Sequence, residues 1–247
     1  MPRDAREVGG AWRRFQQHAY PDPAPDLAPY VSRFWMVSWD YGEPYRQLIV
    51  PYPNVHLTFQ DGGARLQGVC TGHQVRVLTG RNQVFGVTFR AGGFRPFLRA
   101  PVSTLTDRSV NASEVFPGDL PDPPEAAAVE AFLRARLPVP DPRAEEAMDL
   151  VATIAADAAI TRVGALADRA GMTVRELQRL FAEHVGIGPK RVIRRYRLHE
   201  VTERLSRGAS IDWAELAAEL GYADQAHFVR DFGRLFGEPP TRYAERY

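Results

Sequence analysis

Apolar residues between Val31 and Phe89 arrive in short, partly alternating runs, the period of half-buried strands. The runs cover residues 34–39, 48–50, 55–59, 65–69, 74–78 and 84–89. Between them lie Asp61-Gly62-Gly63, Thr71-Gly72 and Gly80-Arg81-Asn82, which read as turns. Several short strands at this spacing predict a barrel or sandwich. A polar, Pro-rich arm (Pro21, Pro23, Pro25, Pro29) precedes them, and a short helix is expected at 111–116. Beyond the breaker Pro121-Asp122-Pro123-Pro124 the period changes to that of helices. Val129, Phe132 and Leu133 mark one helix reaching Leu137; Met148, Val151, Ile154 and Ala155 mark another over 145–158. The expected class is α+β: a β-rich domain over 1–140 with a trailing helix, then an all-α domain over 141–247.

The helical part says one thing twice. Leu166-Ala167-Asp168-Arg169-Ala170-Gly171 is answered by Leu216-Ala217-Ala218-Glu219-Leu220-Gly221. A second helix follows each Gly, with Leu177 and Phe181 in one copy and Phe228 and Phe232 in the other. Each copy closes on Gly then Pro: Gly186 and Pro189, Gly237 and Pro239. Helix, Gly-turn, helix is the helix-turn-helix pattern, and a tandem pair predicts a module that grips double-stranded DNA at two places. Thr173-Val174-Arg175-Glu176 spells a capping box, and Asp224 caps the other copy. Arg175, Gln178, Arg179 and Ala182 fall on one face of the first reading helix, opposite Leu177, Leu180, Phe181 and Val185. Gln225, His227, Arg230 and Arg234 lie outside the second. Arg suits guanine and Gln suits adenine in the major groove. Asp231 is expected to support Arg230 or Arg234, since a carboxylate repels phosphate.

Residues 189–207 predict one long connecting helix of about 28 Å at the helical rise, close to the spacing of successive major grooves. It carries Lys190, Arg191, Arg194, Arg195 and Arg197, with no acid between Glu183 and Glu200. These cations are expected to divide between phosphates and pairing with Glu200 and Glu203. Lys190, Arg191, Arg194 and Arg195 are taken as phosphate contacts together with Thr173 and Arg234. Net charge is only +1 over 247 residues, so the basic character is local rather than global. Hydrophobic content of 45% and charged content of 25% suit a globular protein. No apolar run approaches a membrane span, Met1 to Glu7 lacks the layout of a signal peptide, and one cysteine fits a reducing cytoplasm.

Gly221-Tyr222-Ala223-Asp224-Gln225-Ala226-His227-Phe228-Val229-Arg230-Asp231-Phe232, followed by Phe236-Gly237-Glu238-Pro239-Pro240-Thr241-Arg242-Tyr243, resembles the signature of the AraC/XylS family of bacterial transcription regulators. The resemblance covers residues 149–243 and implies two helix-turn-helix units joined by a linker helix. It places base reading on Arg175, Gln178 and Arg179, and on Gln225, Ala226, His227 and Arg230, with Ala226 able to offer only a methyl contact. The first unit is therefore expected to supply most base discrimination. Residues 86–98 are similar, more weakly, to the cupin-like sensor domains of some such regulators, which bind small molecules or dimerise. Implied partners are DNA, a small-molecule effector, a second copy and, for an activator, RNA polymerase; activator and repressor both remain open.

Trp35, Trp39, Tyr52 and Phe59 are the candidate effector contacts, although aromatic residues on strands usually build core. An enzyme is the rival reading. A cupin-type metal centre needs clustered ligands, but the strand region offers only His56, Cys70 and His73, well separated, so neither metal nor cofactor is expected. Alkyl-transfer repair needs an activated thiolate, which a lone Cys70 between Val69 and Thr71 does not supply. The other alternative is a ligand-binding or dimerising protein with weak DNA affinity.

Overall fold

The computed structural model describes residues 4–122, 124–208 and 211–247; Met1–Arg3 at the start of the leader reading, and Pro123 of the breaker, lie outside the described residues. The strand texture condenses into β1 (Gln16–Ala19), β2 (Val31–Ile49), β3 (His56–Gln60), β4 (Gly63–Gln67), β5 (Gln74–Phe89) and β6 (Ser109–Asn111). They form one antiparallel sheet ordered β1-β2-β5-β3-β4-β6. The expected barrel or sandwich is thus a single open sheet among the described residues. The expected short runs also merge at Gly80. Its φ of +56° sits inside β5, and the register beside it jumps from Tyr41↔Gly80 to Tyr45↔Leu78. Gly80-Arg81-Asn82 is therefore part of an irregular, bulged stretch rather than a turn, and four expected short strands become two long ones.

One row of side chains explains why the sheet holds. Phe34 faces Val87, Val87 faces Leu57, Leu57 faces Leu66 and Leu66 faces Val110, so five strands contribute one buried residue each to a single face. Rings of Phe89, Phe94, Phe97, Phe116 and Phe132 continue that core towards α1 (Ala126–Arg134). The short helix expected at 111–116 is a 3-10 turn over Ala112–Glu114 whose capping box joins Asn111 and Glu114.

The remaining helices are α2 (Pro142–Ala156), α3 (Val163–Ala170), α4 (Val174–Leu180), α5 (Pro189–Ser206), α6 (Trp213–Glu219), α7 (Gln225–Phe236) and α8 (Pro240–Ala244). α2 reaches the sheet domain at Gly92-Gly93. A Cβ on Gly92 (φ +98°) would lie 3.0 Å from the Met148 nitrogen, so only glycine permits that approach. Two main cores result. The larger runs from Leu27 through the sheet and into Leu166, Leu177, Phe181, Val192 and Ile193. The smaller gathers Leu198, Val201, Leu216, Tyr222, Phe228, Phe232 and Phe236. α5 belongs to both, which is how one helix can couple the two repeats.

Candidate nucleic-acid interface

Both repeats fold by the same local chemistry. Gly171 and Gly221 take φ of +63° and +73°, and the next residue closes the helix behind it: Met172 N–H donates to Ala167 O at 3.0 Å, Tyr222 N–H to Ala217 O at 2.9 Å. This is the Schellman closure, and its left-handed residue is why each turn needs glycine. Thr173 Oγ1 accepts from Glu176 N–H at 3.2 Å, while Glu176 Oε2 accepts from Thr173 N–H at 2.8 Å. The Thr173 amide and hydroxyl together hold the Glu176 carboxyl below its usual range. Asp224 Oδ1 accepts from His227 N–H at 2.6 Å. Gly186 and Gly237, at φ +92° and +77°, end the reading helices. The copies differ at their ends. α4 passes into a π-turn over Phe181–Val185, whereas α7 is a regular helix of 12 residues.

Arg175, Gln178, Arg179 and Ala182 are exposed on α4, and Gln225, Ala226 and Arg230 on α7; the His227 side chain is about a third exposed. Thr173 is exposed at the N-terminus of α4, where an N-terminal turn suits an anion.

α5 is organised differently from the expectation. Lys190 and Arg191 are exposed. Arg194 pairs with Asp231 at 2.7 Å, and its guanidinium lies 5.0 Å from the centre of the Tyr222 ring. Arg195, expected among the phosphate contacts, is 4% exposed and donates to the Cys70 carbonyl; burial lowers it to about 10, so it stays charged. Arg197 is also buried, donating to the Ile154 carbonyl and pairing with Glu200 at 2.9 Å. The sequence carried a signal for both. Arg195 is three residues from Val192 and from Leu198, and Arg197 four from Ile193 and from Val201, so both lie on the apolar stripe. Asp231 also corrects the expectation: its partners are Arg194 and, at 3.8 Å, His227 Nε2. Arg234 is exposed, but its carbonyl faces the sheet domain and meets His73 Nδ1 at 3.0 Å.

The four aromatic effector candidates are not brought together. Phe59 lies in the main core beside a cavity of about 740 Å³ on the sheet, lined also by Met36, Phe85, Leu120 and Asp122. Trp39 packs with Tyr41 and Tyr45 and donates to the Thr79 carbonyl at 3.3 Å. Trp35 lies across Gly86, its partner on β5, leaving no room for a Cβ there. Tyr52 stacks on His199 of α5 with ring centres 4.0 Å apart.

Cys70 is buried; Gln74 Nε2 and Gln67 Nε2 lie 2.9 and 3.4 Å from its sulfur, and burial pushes the thiol up, away from a reactive thiolate. His56 is held to about 4 by burial. Among the described residues no three of His, Cys, Asp or Glu gather as a metal site.

Residues 20–111 match a family described as a domain of unknown function (DUF6597), and residues 166–246 match a helix-turn-helix domain family. The transcriptional activator RhaS of Pectobacterium carotovorum is 34% identical over 77 residues, 31% of this chain and 27% of the relative. The transcriptional regulator GlxA of Rhizobium meliloti is 38% identical over 82 residues, 33% and 25% of the two chains. The chain thus spans about a quarter of the length of these curated relatives. Among solved structures, ToxT from Vibrio cholerae, bound to (E)-4-(8-methylnaphthalen-1-yl)but-3-enoic acid, is 11% identical, with 94% of this chain and 99% of that one covered and a TM-score of 0.43. The C-terminal domain of AraT, a response regulator from Geobacillus stearothermophilus, is 19% identical, covering 40% and 83%, with a TM-score of 0.36. The chain carries an AraC-type helix-turn-helix domain, homologous to those of the RhaS and GlxA regulators, behind a domain of the DUF6597 family.

Proposed function

We propose that this protein is a sequence-specific DNA-binding transcriptional regulator that reads two successive major-groove segments with α4 and α7. The observation that carries the reading is the duplicated geometry: two helices with the same Gly-turn and side-chain cap, each presenting amide and arginine side chains on its outer face. The 18 residues of α5 span about 27 Å, a fitting separation for two such readers. Arg175, Gln178 and Arg179 supply most of the base discrimination; Gln225, Ala226, His227 and Arg230 add to it. Thr173, Lys190, Arg191 and Arg234 serve phosphates, while Arg194 and Arg195 act through the fold.

Residues 1–140 form the regulatory part and 141–247 the reading part. The sheet domain touches both units near the ends of their reading helices. Thr106 Oγ1 donates to Gly186 O at 2.6 Å and Arg95 pairs with Glu183 at 2.6 Å; His73 meets the Arg234 carbonyl, and Gly237 lies against Leu48. A small-molecule effector in the cavity beside Phe59 would alter how the two readers are held. The protein acts in the cytoplasm, as a non-enzyme; its partners are DNA, a small-molecule effector, a second copy and, if it is an activator, RNA polymerase. The internal engagement of Arg194, Arg195 and Arg197 favours one second reading, a ligand-binding or dimerising protein with weak DNA affinity.

Sequence selection from a random duplex pool, followed by titration at several salt concentrations, separates the two. A regulator enriches a bipartite site and loses affinity steeply with salt. Arg179→Ala is expected to cost about 1–3 kcal/mol on the selected site and to relax its sequence at the contacted base. Unchanged affinity and unchanged preference would remove Arg179 from the reading set.

A further inference from the structure

Aligning the two units shows where they part chemically. Leu177 corresponds to Phe228 and Phe181 to Phe232, so Leu180 corresponds to Asp231. Leu180 is buried in the main core. Asp231, at the same helical position, instead presents a carboxylate to α5, where Arg194 meets it at 2.7 Å with side-chain exposures of 26% and 16%. The guanidinium lies over the ring of Tyr222, the residue that closes the turn between α6 and α7. The far side of the arrangement is His227: its ring stands perpendicular to Tyr222 at 5.3 Å, and its Nε2 lies 3.8 Å from Asp231. Four side chains therefore link the connecting helix, the turn and the first turns of the second reading helix.

From this geometry we infer that Arg194, Tyr222 and Asp231 are positioning residues: they fix the angle of α7 on α5, and so the spacing between the two DNA half-sites, and they aim His227. The inference rests on the DNA-reading function proposed above. An ion pair with one planar partner stacked on a ring is directional in a way that a leucine contact is not. The first unit does not need such a bracket, because Leu180 and Phe181 are locked into the core of the sheet domain. The second has its own smaller core, and its orientation must be set on α5 itself. The predicted phosphate role of Arg194 gives way to this one.

The test selects bound sequences from a random duplex pool with the full chain, comparing the wild type with Arg194→Met, Asp231→Asn and the exchange Arg194→Asp/Asp231→Arg. Arg194→Met keeps an apolar stem over Tyr222, and Asp231→Asn is nearly isosteric, so at least one should keep the wild-type melting profile. The wild type is expected to enrich two half-sites at one spacing. Each folded single variant should retain the half-site of α4, accept several spacings, and bind the wild-type site about 10-fold more weakly, as expected for a broken, partly buried pair. The exchange should return the single spacing, and Arg194→Lys should keep it with a smaller loss. A folded single variant that enriches the same half-sites at the same single spacing overturns the bracket while leaving the DNA-reading function intact. A wild type that enriches no sequence overturns both.

Discussion

The two helix-turn-helix units share their turns and caps but not their surroundings, and the contrast teaches what the motif itself leaves open. Leu177, Leu180, Phe181 and Val185 of the first unit lie in the same core as Phe34, Leu57 and Val87 of the sheet. Phe228, Phe232, Leu235 and Phe236 of the second pack among themselves and with α5, reached from the sheet domain by Val50 and by the loop at His73. One unit is built into the body of the protein. The other is a module docked on it. Under the proposed function, one reader is fixed and the position of the other depends on a few side-chain contacts.

The comparison breaks most visibly in the cores. Phe181→Ala and Phe232→Ala each remove a fully buried ring, a change that commonly costs about 3–5 kcal/mol. Phe181→Ala should lower the stability of sheet and first unit together, so that amide exchange in β2 and β5 accelerates with that of α4. Phe232→Ala should accelerate exchange in α6 and α7 while β2 and β5 keep their protection. Equal loss of protection in the long strands of both variants would show that the second core is not a separate unit.

Much of this was legible because it is local. The Gly-turns at Gly171 and Gly221, the Thr173 box, the Asp224 cap and the extent of α5 depend on neighbours in sequence, and the expected boundaries hold within a few residues. What escaped depends on distant partners. Gly80 reads as a turn until β2 is placed beside it, and the irregular register there joins the expected short strands into the long β2 and β5. Arg195 reads as a surface cation until the Cys70 carbonyl covers it, although its place on the apolar stripe of α5 gave the hint. The aromatic residues could not be grouped at all: strand alternation assigns a face, not the surface that covers it, so Trp35, Trp39, Tyr52 and Phe59 scatter to four places.

The docking of the second unit should also respond to acid. His199 lies between Tyr52, stacked at 4.0 Å, and Phe236, edge-on at 5.6 Å. Burial, and then the charge of Arg195, hold its imidazole down to about 4, against a Pro51 backbone contact that acts in the other direction. An unfolded chain protonates this group near its ordinary value while the folded protein does not. Its stabilising effect is therefore full above pH 6.5 and declines as pH falls towards 4, by about 3 kcal/mol at about 1.4 kcal/mol per unit of displacement. His199→Phe, which keeps an aromatic ring between the same neighbours, should flatten the fall of stability with acidification measured by urea titrations across that window. An unchanged pH slope would mean that the ring is not held neutral at this contact.

The smallest effects test whether the two caps are as alike as their geometry. Removing an N-cap side chain typically costs about 0.5–2 kcal/mol. In Thr173→Ala the backbone N–H of residue 173 can still donate to Glu176, so half of the reciprocal arrangement survives and the loss should fall at the low end of that range. In Asp224→Ala the side-chain acceptor for the His227 N–H disappears, together with a negative charge at the positive end of the α7 dipole. That loss should be the larger one, and it should be read locally, as faster exchange at the start of α7. Because His227 Nε2 faces Asp231 while its backbone is held by Asp224, the same variant should loosen the bracket from its other end. If Thr173→Ala instead proved the costlier change, the capping-box glutamate would be acting through its hydrogen bond to the Thr173 hydroxyl, at 2.8 Å, more than through the backbone.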